Sequence, residues 1–244
     1  MNSGYYAAFT GLVARMQALD LLANNLANVD TTGFRGQHEF YRAITTSLNP
    51  QPMTALNQAI NDFGVLGGAA IDQRQGSLQS TGNNLDLAIS GPGFFSVQTS
   101  GGVRFTRNGS FHVNSAGVIV NDDEYPVLGP GGPIQLPPGD IAIAEDGTVS
   151  VAAAVAGQVR VAEFVPGTIL VPEGESNFVA PPGADRDATS SKVEEGMLES
   201  SNVTVTQAMV NLMVLQRHAE LLERTLSIFQ NDFNRTAIQQ LAVD

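Results

Sequence analysis

The sequence predicts an α+β fold in which N- and C-terminal helices pair as a coiled coil and a central antiparallel β domain consists of short strands. Apolar residues near both termini recur every three or four positions, as on one face of a helix. Between the termini the apolar period shortens to two, and Gly and Pro punctuate the runs. We therefore expect a terminal helical domain over 1–34 and 200–244, a linker or loop over 35–66, and the β domain over 67–199.

The N-terminal segment carries a heptad seam whose members step by 3 and 4 residues. These members are Phe9, Leu12, Met16, Leu19, Ala23 and Leu26. The C-terminal segment carries a longer seam of Ala208, Leu212, Leu215, Ala219, Leu222, Leu226, Phe229 and Phe233. Both segments are therefore predicted to be helices with an apolar stripe.

The C-terminal stripe is wider than a two-stranded seam can cover. Further apolar residues flank it, namely Met209, Met213, Val214, Leu221 and Ile228. Two interpretations are open: the two termini form an ordinary helical hairpin within one chain, or the extra positions face other subunits. Because a bare helix pair on a long tether is marginally stable, we expect the termini to be weakly ordered in the monomer and to order on assembly.

A polar strip lies beside the first seam, and it consists of Gln17, Asp20, Asn24, Asn28 and Thr31. Carboxamides can hydrogen-bond neighbouring helices and fix their register, although a solvated, frayed helix end is the alternative. Gly33 is expected to give the helix a left-handed exit, with Phe34 folding back on the last turn. At the other end of the chain, Ser200, Ser201 or Asn202 is expected to cap the C-terminal helix.

The central region reads as a series of short strands. Leu85–Ile89 alternates, and Gly91–Val97 reads as a Gly/Pro turn that leads into an aromatic strand. Val103–Val113 is predicted to be a hairpin with a three-residue loop, in which Phe105 pairs with Phe111.

Further short strands are expected in Val127–Val151 and in Gly157–Val165. Residues 172–192 read as a polar loop. Residues 37–65 are less clear, because two prolines break the segment, although 53–63 has the composition of a short helix.

The net charge of −12 is unevenly distributed. Residues 122–199 contain 14 acidic and 3 basic residues, a net charge of −11, whereas the remainder contains 10 acidic and 9 basic residues, a net charge of −1. Without Lys/Arg patches we expect no binding to nucleic acid or to anionic membranes. No apolar run approaches the roughly 20 residues of a membrane span, so no membrane insertion is expected.

The residue types needed for catalysis are not grouped in the sequence. The chain has no Cys, and its three histidines, His38, His112 and His218, lie in separate segments without metal-ligand spacing. The Gly-Pro-Gly motifs lack the Lys-Ser/Thr of a phosphate-binding loop. We therefore predict no catalytic residue, no metal site and no cofactor, and expect that the protein is not an enzyme.

Four motifs in order carry a family resemblance. They are NNLANVDTTGF (Asn24–Phe34), GSLQSTGNNLDLAISGPGFFSV (Gly76–Val97), FTRNGSF (Phe105–Phe111) and VEEGMLESSNV (Val193–Val203). With a helix predicted at each end, the chain strongly resembles the flagellar basal-body rod and hook family over most of its length. Within that family it looks most like the proximal rod proteins of the F type, with the distal rod proteins of the G type next. The family-motif residues are Asn24, Asn25, Asn28, Thr31, Thr32, Gly33, Phe34, Ser201, Asn202 and Val203.

The resemblance implies a structural axial subunit that assembles with other rod subunits and with copies of itself into the tubular drive shaft of the bacterial flagellum. It also implies export without a cleavable signal peptide, through the flagellar type III apparatus, to a periplasmic rod. The residues expected to carry assembly are Phe9, Leu12, Met16, Leu19, Leu26, Leu212, Leu215, Leu222, Leu226, Phe229 and Phe233. The alternative is a stand-alone β binding module that its terminal helices oligomerise.

Overall fold

The structure, a computed structural model, describes residues 2–42, 65–174 and 176–241. The chain divides into two compact units. The helical unit contains residues 1–26, 37–70 and 205–244, and the β unit contains residues 27–36 and 71–204. Helices at both ends and antiparallel strands between them confirm the predicted α+β class.

The helical unit contains helix α1 (Asn2–Ala27) and helix α2 (Val205–Leu241). Strands β1 (Gln37–Arg42) and β2 (Val65–Ile71) form a two-stranded sheet where the sequence suggested a linker. The short helix suggested for residues 53–63 lies outside the described residues. Neither described helix has an apolar stretch long enough to cross a membrane.

The β unit consists of short strands joined by tight turns. In chain order they are β3 (Leu78–Ser80), β4 (Leu87–Ser90), β5 (Phe94–Thr99), β6 (Gly102–Thr106), β7 (Phe111–Val113), β8 (Ile119–Asn121), β9 (Leu128–Gly129), β10 (Gly132–Pro133), β11 (Ile141–Ile143), β12 (Thr148–Val151), β13 (Ala154–Gln158), β14 (Val161–Phe164), β15 (Val171–Glu173), β16 (Asn177–Val179), β17 (Asp185–Asp187), β18 (Lys192–Glu195) and β19 (Met197–Glu199).

The largest sheet has six strands in the order β15-β16-β6-β5-β14-β17. A second sheet has the order β11-β12-β13, and four further two-stranded sheets pair β3 with β19, β4 with β18, β7 with β8, and β9 with β10. The last two strands of the unit, β18 and β19, therefore pair with its first two, β4 and β3.

Strand β5 separates two apolar cores because its neighbouring side chains point to opposite faces. Phe95 belongs to the larger core, where its ring meets that of Phe111 edge-on at 5.1 Å. Phe94 belongs to the smaller core and meets the ring of Phe178 at 5.7 Å. The unit thus buries both faces of its central strand.

The predicted hairpin over 103–113 is wrong. Strand β6 lies between β5 and β16, whereas β7 pairs with β8, so Phe105 and Phe111 enter different cores. Gly109 is needed for close packing, because a Cβ atom there would lie 1.6 Å from the carbonyl oxygen of Leu87. Burial of two aromatic rings in separate cores outweighs the local turn signal of Asn-Gly.

The segment 172–192, predicted to be a polar loop, contains strands instead. Strands β16 and β17 lie within it, and β15 and β18 overlap its ends. Phe178 is buried and pairs with Phe105 on β6. One aromatic side chain anchors an otherwise polar run, which composition alone does not reveal.

Candidate assembly site

The buried residues of helix α1 are small or polar, whereas two of its largest apolar side chains are exposed. The buried residues are Ala8, Gly11, Ala14, Ala18 and Asn25. Among the predicted seam residues, Leu12, Leu19 and Leu26 are half-buried, whereas Phe9 and Met16 are 49% and 56% exposed. The large apolar side chains on this helix are therefore left available for further contacts.

Helix α2 is least exposed along its predicted seam. Ala208, Leu215 and Ala219 are buried, and Leu212, Leu222 and Leu226 are half-buried. Phe229 is exposed, and the side chain of Phe233 lies outside the described part of the helix. The flanking side chains are also exposed, namely Met209, Met213, Val214, Leu221 and Ile228. The apolar stripe of α2 is thus wider than the part that the chain itself buries.

Asn25, in the middle of the amide-rich motif, connects α1 to the start of β1. Its Nδ2 donates to the carbonyl oxygen of Gln37 at 2.7 Å, and its Oδ1 accepts from the amide of Gln37 at 2.9 Å. The buried carboxamide thereby satisfies both backbone groups of one residue. This amide acts within the chain, so it is not free to fix the register between chains.

The predicted polar strip is more accessible than Asn25. Gln17, Asp20 and Asn24 are exposed, and Asn28 and Thr31 are half-buried. The hydroxyl of Thr31 donates to the side-chain oxygen of Asn28 at 3.2 Å, which stabilises the turn after α1.

Gly33 adopts the left-handed conformation that the sequence predicts, with a φ of 68°. Its amide donates to the carbonyl oxygen of Glu199 at 2.7 Å. A Cβ atom at Gly33 would lie 2.2 Å from the backbone nitrogen of Asn108. Thr32 is half-buried and Phe34 is buried. Glycine is therefore required here both by conformation and by close packing.

Two arginines and one glutamate lie buried together in the β unit, and we call this group the clasp. Arg35 Nη2 lies 2.8 Å from Glu199 Oε1, and Arg107 Nη1 lies 2.9 Å from Glu199 Oε2. All three side chains are 1% exposed. Arg35 follows the exit turn of α1, Arg107 follows β6, and Glu199 ends β19. The clasp thus connects three distant segments of the chain.

Backbone groups hold the clasp in place. Glu199 Oε1 also accepts from the amide of Gly76 at 2.8 Å. Arg35 donates to the carbonyl oxygens of residues 73 and 74. Arg107 donates to those of residues 89 and 91, and its guanidinium carbon lies 5.0 Å from the centre of the Phe94 ring. These bonds replace part of the hydration that the charged groups lose on burial.

The clasp buries two cations with one anion. Burial lowers the pKa of Arg35, while the charges of Glu199 and, more weakly, Asp72 act in the opposite direction. Burial likewise lowers the pKa of Arg107 to about 10; Glu199 opposes this shift and the nearby Arg35 adds to it. Both arginines remain cationic at neutral pH, so the carboxylate of Glu199 is the counter-ion on which their burial depends.

Asn202 hydrogen-bonds the segments in which the chain passes into and out of the β unit. Its Nδ2 donates to the carbonyl oxygens of Asp72 and Arg74 at 2.9 and 2.8 Å, and its Oδ1 accepts from the amide of Gly36 at 2.8 Å. The hydroxyl of Ser201 accepts from the amide of Val203, which is half-buried. Helix α2 begins only at Val205, so the prediction that a residue of 200–202 caps the helix is wrong.

Sequence reasoning missed the clasp. The expected hairpin placed Arg107 in an exposed loop, and Glu199 was one of several acidic residues near the second helix. The available signal was that Arg35 and Arg107 each follow a motif of aromatic and small residues, but arginine is also common at exposed strand ends. Among the residues that the structure describes, no group of three or more His, Asp or Glu is arranged to hold a metal ion.

Three family models match separate parts of the chain. The model described as flagella basal body rod protein matches residues 6–35, and the flagellar hook protein FlgE/F/G D1 domain matches residues 88–151. The flagellar basal body rod FlgEFG protein C-terminal model matches residues 194–221. The first match contains Arg35, the second contains Arg107, and the third contains Glu199.

Curated relatives align over nearly the whole chain. The flagellar basal-body rod protein FlgF of Caulobacter vibrioides is 30% identical over 99% of this chain and 98% of its own length. FlgF of Rhizobium meliloti is 32% identical over 89% of each chain. FlgG of Borreliella burgdorferi is 30% identical over 95% of this chain and 96% of its own length.

Proposed function

Since this chain belongs to the flagellar basal-body rod protein family, of the F or G type, we propose that it self-assembles with other rod proteins into the tubular drive shaft of the basal body. The family consists of structural proteins and not enzymes. Packing of side chains between subunits is therefore the chemistry of this function.

The unequal faces of the terminal helices are the observation that carries this proposal. Phe9 and Met16 on α1 and Met213, Leu221 and Ile228 on α2 are 49–61% exposed. Apolar side chains of this size, repeated along both helices, stabilise contacts with other helices when water is removed from them. The nearly neutral charge outside residues 122–199 allows such helices to lie side by side in many copies.

In the assembled rod, segments 1–34 and 200–244 pair as a coiled coil that lines the tube, and the β domain over 67–199 forms its outer shell. The seams fill the helical contacts, and the exposed amides of the polar strip fix their register. The termini order fully only on assembly. Hydrogen exchange on a dilute monomer tests this: strong protection of residues 5–28 there would contradict it.

The partners are other rod subunits, further copies of this chain and the flagellar export apparatus. The chain reaches the periplasmic rod through the type III apparatus. Of the two family types we favour the proximal F type, because of the length of the chain and the segment VLGPGGPIQLPPG (Val127–Gly139).

Deletion of the gene in its native host, followed by imaging of isolated basal bodies, tests the proposal. We expect a rod that is missing or stops short, and the point of truncation separates a proximal from a distal subunit. Complementation with the intact gene must restore the rod. Normal basal bodies on motile cells would contradict the role in the rod and favour a binding module oligomerised by its helices.

A further inference from the structure

We propose that Glu199 controls closure of the β unit, so that its segments 27–36 and 71–191 stay open until the C-terminal crossing 192–203 reaches them. Two independent features of the structure support this inference: the pairing of the last strands and the charge balance of the clasp.

The C-terminal crossing supplies the strands with which the start of the unit pairs. In β4, Ile89 pairs with Val193 and Leu87 pairs with Glu195. In β3, Gln79 pairs with Leu198. Val193 is buried in the larger core beside Leu87 and Ile89. Without the crossing, β3 and β4 lose their partner strands, and the larger core loses the side chain of Val193.

The charges of the clasp give a second reason for late closure of the β unit. Residues 27–191 contain both arginines of the clasp, whereas the carboxylate that pairs with them arrives only with residue 199. Closing the unit earlier would bury Arg107 without its counter-ion, and it would leave Arg35 with only the weaker attraction of Asp72. Part of their hydrogen-bonding capacity is unsatisfied even in the complete clasp, because the Nε atoms of Arg35 and Arg107 have no hydrogen-bond partner. The open state is therefore favoured until Glu199 arrives.

Closure of the β unit only after residue 199 arrives is useful if the chain is exported N-terminus first. This part of the inference rests on the proposed function. Residue 199 then emerges after all the other residues of the two cores, so a chain delivered only as far as β17 does not lock into a closed β unit. The two unpaired arginines keep the unit open until the crossing is delivered, and Glu199 then closes it.

The first experiment compares Glu199→Gln with Glu195→Gln in the full-length protein by native-state hydrogen exchange. Glu195 lies on β18, so the control makes the same chemical change in the same crossing. We expect the slowest-exchanging amides of β4 and β5 to exchange roughly 100-fold faster or more in Glu199→Gln, because two buried cations lose their counter-ion. In Glu195→Gln the rates should change less than about threefold. Equal rates in the two variants would overturn the inference.

A second variant separates charge from packing. In the triple variant Arg35→Met, Arg107→Met and Glu199→Met, side chains of similar length replace the whole clasp without charge. We expect this variant to fold even if Glu199→Gln does not, because no buried cation is left without its partner. If the triple variant fails to fold as Glu199→Gln does, the clasp acts through packing and the inference is wrong.

Pulse-labelled exchange during refolding tests the order of closure. In the wild-type protein, β5 and β6 should gain protection together with β19, whereas in the triple variant they should gain it earlier. Protection of β5 and β6 ahead of β19 in the wild-type protein would overturn the inference. These measurements use purified monomer, so their failure is distinct from failure of the proposed rod function, which imaging of basal bodies decides.

Discussion

The two units of the chain treat charged and apolar side chains in opposite ways. The β unit buries two arginines and a glutamate in a clasp, and it encloses two apolar cores. The helices α1 and α2 bury mainly alanines along their faces and leave phenylalanine, methionine and isoleucine exposed. Each unit departs from the ordinary rule of apolar inside and charged outside, but in a different direction.

The difference indicates which unit is complete in a single chain. Buried charges are stable only where their partners are held in place, and the partners of this clasp all lie within the β unit of one chain. Exposed apolar stripes lower the free energy only when another surface covers them. The helical unit is therefore the part of the molecule in which neighbours are expected to complete the packing. The following variants test this contrast, from the largest expected effect on stability to the smallest.

Gly33→Ala should have the largest effect on the β unit. The added Cβ atom would meet the backbone of Arg107 and Asn108 within about 2.3 Å, and the residue must also keep a φ of 68°. We expect the free energy of unfolding to fall by about 3 kcal/mol or more. Thermal and denaturant unfolding of the purified chain measures this change.

Gly82→Ala is the matched control for that prediction. Gly82 also has a positive φ, of 76°, but a Cβ atom there has nothing within 4 Å. This variant should lose only about 1–2 kcal/mol, from backbone strain alone. Equal losses in the two variants would mean that the close approach between Gly33 and Asn108 does not contribute to stability.

Asn202→Asp should have the next largest effect. The substitution removes the two donors to Asp72 and Arg74 and places a negative charge beside their carbonyl oxygens. We expect a loss of about 2–3 kcal/mol in the free energy of unfolding. Asn84→Asp removes one exposed donor to Ile141, so it should cost less than about 1 kcal/mol. A larger loss at position 84 than at 202 would contradict the role of Asn202.

The carboxylate of Glu163 predicts a smaller, pH-dependent effect. Partial burial by itself raises its pKa, but hydrogen bonds from Ser191 and Ser190 outweigh this and lower the pKa from 4.5 to about 2. A depressed carboxylate pKa stabilises the fold above pH 4.5, and that contribution is lost as the pH falls towards 2.

After allowance for solvent screening, this contribution is about 1–2 kcal/mol. Unfolding curves measured between pH 6 and pH 2.5 should therefore show a smaller pH dependence for Glu163→Gln than for the wild-type protein. The same pH dependence in both proteins would rule out a stabilising role for this carboxylate.

Met16→Asp should change the stability of the monomer least. The side chain is 56% exposed, so we expect a loss within about 0.5 kcal/mol. The same change should block incorporation into the rod, because it places a charge on the face proposed for assembly. Imaging of basal bodies from cells that carry only this variant measures the effect, with Ser100→Asp, at an exposed residue in the turn between β5 and β6, as the control. Normal rods with Met16→Asp would remove this face from the assembly surface.

The features that the sequence predicted correctly depend on residues close to one another in the chain. The left-handed conformation of Gly33 follows from its place at the end of a helical pattern, and the aromatic strand β5 follows from the turn before it. Such features are determined by backbone sterics and by side chains within one or two turns.

The features that it missed depend on contacts between distant segments. The bond between Gly36 and Asn202 spans 166 residues, and the clasp joins three separate motifs. At Arg107 the local Asn-Gly signal indicated a hairpin, but burial of Phe105 and Phe111 in different cores prevailed. The buried alanines of α1 were also not predicted, because alanine spacing carries less apolar signal than the neighbouring leucines.

The bonds around Asn202 also decide how the β unit responds to mechanical load. The chain first enters the unit at residue 27 and finally leaves it at residue 204. The first segment, 27–36, is bonded directly to the end of the last one, through the side chain of Asn202 to Gly36 and from the amide of Asn202 to the carbonyl oxygen of Phe34. A pulling force applied along the chain is therefore carried across this junction and bypasses the strands of the two cores. The junction should rupture first under tension, while the sheets behind it keep their shape.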